Sequence, residues 1–270
     1  MTDADTTTIP AKVSETSIFR RIETTIAAAF HYREPCLIVG PPGIGKTTAL
    51  NEIARRHEAI IFITATAANG AKSSFFKLLA DHISERNRHF RRPAKQSLHD
   101  LFSMLSGVLA DYMPLDTAIM IDEAQNLNFD AMRLLLDLND QVKTPIAFVG
   151  NPHTLKSTKA NQEALNQIWD RVSGHRFEFR GLGTGDVIAI AVDHNVEGVD
   201  AYGYLEAFAM KNSSLRRLAG LLREARTFAG PQGSIRLPHL RKAVAVLHSE
   251  DEDRGLFKLV PKPRKEENAA

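Results

Sequence analysis

Eight consecutive residues, Gly40-Pro41-Pro42-Gly43-Ile44-Gly45-Lys46-Thr47, set glycines, one lysine and one hydroxyl at fixed spacing directly after the apolar run Cys36-Leu37-Ile38-Val39. Each residue type has a task at a polyphosphate. Glycines let backbone N–H groups turn inward around the oxygens, and the N-terminus of a following helix adds partial positive charge. Lys46 is long enough to reach β- and γ-phosphates, and the Thr47 hydroxyl suits Mg²⁺. A buried strand enters this loop and a helix, expected from Thr47 to roughly His57, leaves it. Gly40 to Thr48 therefore read as the contacts of a nucleoside triphosphate.

A second apolar run, Ala118-Ile119-Met120-Ile121, ends in two adjacent acids, Asp122 and Glu123. Strand alternation sends their side chains to opposite sides, so they can take separate tasks. Asp122 is placed to hold the Mg²⁺ shell; Glu123 is placed to orient or deprotonate an attacking water. A third run, Pro145-Ile146-Ala147-Phe148-Val149, leads through Gly150 to Asn151, whose carboxamide suits a γ-phosphate and the lytic water. An acid pair can also simply open a loop, and Asn before Pro is an ordinary turn signal. Two arginines complete the candidates. Arg171 stands near the end of a helix after the asparagine, and Arg216 begins a helix further on.

The elements that must position these residues follow from periodicity. Strands are expected at 36–39, 59–63, 118–121 and 145–149, with a short one around 177–179 closing the sheet. All but the last are nearly all apolar, as parallel strands covered on both faces are. Helical spacing marks Ser17 to His31, Ser73 to Ile83, Ser97 to Asp111 and Asn128 to Asn139. Strand–helix alternation implies an α/β fold, a parallel sheet flanked by helices with its ligand at the carboxyl ends of the strands. From Gly183 to His248 only amphipathic helices appear, broken at Gly198, Asn212 and Gly230-Pro231-Gln232-Gly233. The expected division is a loose N-terminal arm (1–16), a nucleotide-binding domain (17–182), a small helical lid (183–248) and a charged flexible tail (249–270).

Composition bounds the function classes. The chain has 270 residues, 43% of them hydrophobic and 24% charged, with a formal net charge of +2. That charge is too small to hold nucleic acid by itself, so such a partner needs a local patch or many subunits. The single cysteine, Cys36, falls in a central strand; it suits a reducing cytoplasm and argues against a disulfide framework. The polar, acidic start is unlike a secretory signal, and no apolar run is long enough to span a membrane. No His/Cys spacing suggests zinc. Trp169 reads as an interface or core anchor.

The set and order of these motifs resemble those of the AAA+ ATPases. In that resemblance Gly40 to Thr47 is the Walker A loop and Asp122 and Glu123 are the Walker B acids. Asn151 corresponds to sensor 1, Arg171 to the arginine finger and Arg216 to the sensor 2 arginine. The wording Ile121-Asp122-Glu123-Ala124-Gln125-Asn126-Leu127 with Phe148-Val149-Gly150-Asn151-Pro152-His153 is similar to the transposition-target ATPases of the Mu B and TniB type. The resemblance spans roughly residues 18 to 248. It implies ATP and Mg²⁺ as cofactors, a homo-oligomer with composite sites, filaments on double-stranded DNA and a transposase partner. One departure stands out: Mu B has an N-terminal helix-turn-helix domain, which the stretch before Ser17 is too short to hold.

DNA contact would then fall to the ATPase domain. Residues Arg86, Arg88, Arg91, Arg92 and Lys95 lie in an acid-free stretch where family members line the filament interior, and Lys72 and Lys77 precede it. A solvated basic loop is the plain alternative for all seven. Two other functions compete with the transposition reading. One is a nucleotide-gated switch or scaffold that controls protein contacts in secretion or signalling without DNA. The other is a helicase or clamp loader, for which no accessory domain is visible.

Overall fold

The computed structural model describes residues 13–87, 90–92, 95–151 and 162–259. The chain opens with α1 (Ser17–Tyr32), capped where Thr16 Oγ1 accepts from Phe19 N–H at 3.1 Å. It then alternates: β1 (Cys36–Val39), α2 (Lys46–Arg56), β2 (Ile60–Thr64), α3 (Lys72–Arg86), α4 (Leu98–Asp111), β3 (Ala118–Asp122), α5 (Phe129–Val142), β4 (Ile146–Gly150), α6 (Gln162–Val172) and β5 (Arg176–Glu178). The expected helices and strands appear with ends shifted by at most three residues, and the first strand matches at both ends.

The five strands form one parallel sheet in the order β2-β3-β4-β1-β5. Strand alternation divides the apolar runs of β1 to β4 between two cores. Leu37, Val39, Ile61, Ile63, Ile119, Ile121, Ile146 and Phe148 pack with α3, α4 and α5 on one face. Cys36, Ile38, Ile60, Met120, Ala147 and Val149 pack with α1 and α2 on the other. Both faces are covered, which is why these strands read as continuous apolar runs. Burial pushes the Cys36 thiol up to about 12, so it serves as a small core residue and not as a nucleophile.

After β5 the described residues form five helices: α7 (Thr184–Asp193), α8 (Val199–Asn212), α9 (Leu215–Ala229), α10 (Leu237–Leu247) and α11 (Glu250–Phe257). Leu205, Phe208, Leu221, Leu222, Leu240 and Val244 give them a separate apolar core.

Helix α11 corrects the reading of a flexible tail for residues 249–257. Glu250, Asp251, Glu252 and Asp253 are its first turn, where carboxylates meet the positive end of the helix dipole. Ser249 caps it, its Oγ accepting from Glu252 N–H at 3.1 Å. Leu256 is fully buried, worth about 1.5–3 kcal/mol in apolar transfer. Asp253 is buried as well, accepting from Tyr204 Oη at 2.8 Å and from Arg241 Nη2 at 2.8 Å. Composition called this segment solvated; a cap and two inward residues fold it. Residues 1–12 and 260–270 lie outside the described residues. Among the described residues no helix is long and apolar enough to cross a membrane.

Candidate nucleotide site

Strand order decides how the site assembles. Because β4 lies between β1 and β3, Asn151 emerges between the phosphate loop and the acid pair. The loop turns through Gly43 at φ +80° and Gly45 at φ +93°, a region that side chains disfavour, and so brings Lys46 to the start of α2. Lys46 is 6% exposed, and its Nζ donates to Gly40 O at 2.7 Å, Pro41 O at 3.0 Å and Asn151 Oδ1 at 3.0 Å. Burial holds the lysine below its ordinary pKa. Glu123 and Asp122 oppose that shift, whereas Arg216 adds to it. Lys46 therefore feels both acids and the lid arginine at one place.

The hydroxyl of Thr47 donates to Asp122 Oδ2 at 2.7 Å, and the other carboxylate oxygen accepts from Glu123 N–H at 2.8 Å. Glu123 itself sits at φ +52°, a left-handed conformation that costs a non-glycine residue about 1–2 kcal/mol. The chain thus turns sharply right after Asp122, and Gln125 comes back toward Glu123: its Nε2 donates to Glu123 Oε2 and its Oε1 accepts from Asn151 N–H at 3.0 Å. Gln125 carried no role in the sequence reading. Its only signal there was its place two residues after the second acid.

The lid completes the cleft. Arg216 N–H donates to Gly43 O at 3.1 Å, and Ser214 Oγ lies where a Cβ on Gly43 would stand, at 2.5 Å. Between loop and lid is a cavity of about 400 Å³, lined among others by Thr16, Phe19, Lys46, Glu123, His194 and Arg216. Val13 and Ser14 also reach it, so the end of the expected loose arm is a wall of the site. Asp186 ties that wall to the lid, accepting from Ser17 N–H at 2.6 Å, Ser17 Oγ at 3.1 Å and Gly183 N–H at 3.1 Å. Burial, and after it the Arg226 guanidinium, hold His194 below its ordinary pKa. A smaller cavity of about 270 Å³, walled by Ile26, Phe30, Ile60 and Pro145, lies at the opposite ends of the strands.

Two groups of expected site residues stand elsewhere. Arg171 projects from α6 and pairs with Asp137 and Asp140 of α5, at 2.8 and 3.5 Å. Of the basic candidates, Lys72 pairs with Asp130 at 3.4 Å, Arg86 donates to Glu58 O at 2.7 Å and Arg92 to Asp81 at 2.7 Å. Lys77, Arg91 and Lys95 are exposed, and Arg88 lies outside the described residues. Trp169 is half-buried against the sheet core with the Arg176 guanidinium 4.0 Å from its ring centre, as an anchor would be.

A nucleotide and Mg²⁺ fit the groups present. Thr47 and Asp122 offer hard oxygen donors, and glycine backbone plus a buried ammonium face the same cleft. Fold and site together define the class: an AAA P-loop domain followed by a helical lid. Residues 30–157 match the family model of the AAA domain. Solved structures agree on the fold: Cdc6p from Pyrobaculum aerophilum, TM-score 0.59 at 14% identity, covering 85% of this chain and 66% of that one. A RuvB mutant has TM-score 0.50 at 16% identity, covering 87% of this chain and 70% of that one. Within the class, the chain is similar to the ATP-dependent target DNA activator B of Escherichia phage D108, 24% identical over 238 residues. The protein of that name from Escherichia phage Mu is 23% identical; each match covers 87% of this chain and 73% of the relative. The resemblance to the Mu B type therefore holds along the chain, beyond the motifs.

Proposed function

We propose that this chain is an ATP-dependent, largely sequence-non-specific DNA-binding ATPase that forms filaments on duplex DNA, delivers target DNA to a transposase and activates it. The observation that carries the ATPase part is the convergence of Lys46, Thr47, Asp122, Glu123 and Asn151 from three neighbouring strand ends beneath Arg216. The similarity to the two phage activators supports the DNA part.

In this proposal Lys46 exchanges its two loop carbonyls for phosphate oxygens, and Thr47 and Asp122 hold the Mg²⁺. The ion supplies charge neutralisation along the polyphosphate. Glu123 takes the proton of the attacking water, Asn151 orients that water, and Arg216 brings the lid onto the nucleotide. Arg171 acts on the neighbouring subunit's nucleotide and must leave Asp137 to do so. A finger of this kind is worth about 10³–10⁵ in rate, so isolated subunits hydrolyse slowly. Lys77, Arg91 and Lys95 are the first candidates for phosphate contacts with DNA, each weak alone and summed along a filament.

Electron microscopy and light scattering with ATP, with and without duplex DNA, test the assembly. Filaments that need both ligands, and ATPase activity raised by DNA, are expected. A protein that stays monomeric at saturating ATP and plasmid overturns the proposal. The switch or scaffold alternative draws on one observation: Lys72, Arg86 and Arg92 are already engaged within the chain. Nucleotide-dependent assembly that is indifferent to DNA would favour it.

A further inference from the structure

The nucleotide-site residues hold a side chain that no motif assigns. Gln125 bridges two of them: its amide nitrogen donates to the Glu123 carboxylate while its oxygen accepts from Asn151 N–H at 3.0 Å. A carboxamide presents a donor nitrogen and an acceptor oxygen side by side at a single end. It can therefore join an acid on the β3 loop to a backbone N–H at the end of β4. Asn151 in turn accepts from Lys46, so a continuous polar chain runs Lys46–Asn151–Gln125–Glu123.

The neighbouring backbone leaves room for this link. A Cβ on Gly150 would stand 2.4 Å from Gln125 Oε1 and 3.3 Å from Ala124 N, so only glycine lets the amide lie against the end of β4. The local turn has the same outcome. Glu123 in its left-handed conformation, with its N–H on Asp122, opens the short helical turn Ala124–Asn126 that carries Gln125 back over the strand ends.

We propose that Gln125 is a positioning residue for hydrolysis, aiming the Glu123 carboxylate by tying it to the strand that bears Asn151. This rests on the reading of Glu123 as the group that activates water. A carboxylate free to rotate about its side chain meets the water in the right geometry only part of the time. One held by an amide meets it in one orientation, and misplacement of about 1 Å costs on the order of 100-fold in rate.

The test compares variants of the full chain in steady-state and single-turnover ATP hydrolysis, with nucleotide affinity read by fluorescent ATP analogue. Gln125→Leu keeps the shape and removes both bonds; kcat is expected to fall roughly 10- to 100-fold, with affinity and KM within about twofold. Gly150→Ala displaces the amide while leaving every polar side chain of the site in the sequence, and the same fall in kcat is expected. Gln125→Glu keeps the acceptor for Asn151 and removes the donor to Glu123, so its kcat should match that of Gln125→Leu; a rate near wild type would overturn the proposal. In a Glu123→Gln background, Gln125→Leu should cost nothing further in single-turnover rate, because its effect runs through Glu123. An equal loss in both backgrounds, or one tracking a lowered Tm, marks a merely structural role and overturns it. Glu123→Gln turning over at wild-type rate would defeat the underlying site reading. Glu123→Gln inert beside Gln125→Leu at full rate would defeat this inference alone.

Discussion

The sheet half and the lid half of the cleft meet at the same phosphate loop, yet they are held by different physics. On the sheet side Lys46, Thr47, Asp122, Glu123, Gln125 and Asn151 hang from strand ends whose positions are set by a core covered on both faces. Their polar atoms satisfy one another before any ligand arrives. On the lid side the described polar links are few: Arg216 N–H to Gly43 O, and Asp186 bound to both Ser17 and Gly183. A strand end cannot move without breaking the sheet, whereas a helical lid with its own core can tilt as a unit. Chemistry on the sheet side should fail all at once, and the lid should tune affinity in steps.

Lys46→Ala tests the first half of that contrast and should have the largest effect. It removes the buried ammonium that joins loop and β4, so nucleotide binding should weaken more than about 100-fold, an effect of the size found when a buried charged hydrogen bond is lost. Titration with a fluorescent nucleotide measures it, and affinity within a factor of a few would break the comparison at its root. Arg171→Ala comes next and asks whether the sheet half is complete in one subunit. With the finger acting in trans, ATP still binds while hydrolysis by the assembled protein falls by about 10³-fold. Mixing with Lys46→Ala should restore part of the activity at composite sites. Unchanged turnover would leave Arg171 a surface ion pair with Asp137, worth at most about 1 kcal/mol.

The two halves were also unequally legible. Glycine spacing, adjacent acids and apolar strands are demanding requirements, so the sequence displays them, and the residues they mark converge as expected. Gln125 stayed hidden because its role depends on β4 lying beside β3 and on a glycine at position 150. Thr16 and Phe19 at the start of α1, His194 at the end of α7 and Arg223 of α9, which also lines the cleft, were missed for the same reason: a wall drawn from three separate helices has no local pattern. Glu250–Asp253 misled outright. A run of acids looks solvated, although Ser249 followed three residues later by Glu252 is a helix-start signature. The basic stretch was read as a unit, and tertiary contacts divided it, engaging Arg86 and Arg92 locally and leaving Arg91 exposed.

Gly43→Ala sharpens the lid side. The new Cβ would lie 2.5 Å from Ser214 Oγ and at φ +80°, so both the lid contact and the turn are strained. The left-handed backbone alone costs about 1–2 kcal/mol, which is roughly five- to thirtyfold in an equilibrium constant. Nucleotide affinity should drop by that factor, with the maximal rate at saturating ATP much less changed. A collapse as complete as that of Lys46→Ala would mean that the lid contact is as indispensable as the strand-end chemistry.

Asp253→Ala reaches the lid core far from any phosphate and should have the smallest effect on function. The substitution leaves the fully buried Tyr204 hydroxyl without its acceptor and frees Arg241, at a cost of about 1–3 kcal/mol in stability. In the native lid, burial works to raise the Asp253 carboxyl, but the Arg241 and Tyr204 bonds outweigh it and hold the group below the ordinary carboxylate range. A depressed acid contributes stability that is present above its unfolded value, about pH 4, and is lost as pH falls toward the lower folded value. Wild-type and Asp253→Ala proteins should therefore differ in Tm at pH 7 and converge below about pH 4. At pH 7 and a temperature well below melting, ATP affinity of the variant should stay near wild type, because the lid has its own core apart from the phosphate loop. Lost affinity without lost folding would show that the lid transmits strain from α11 to Arg216, and the separation between the two halves of the cleft would fall.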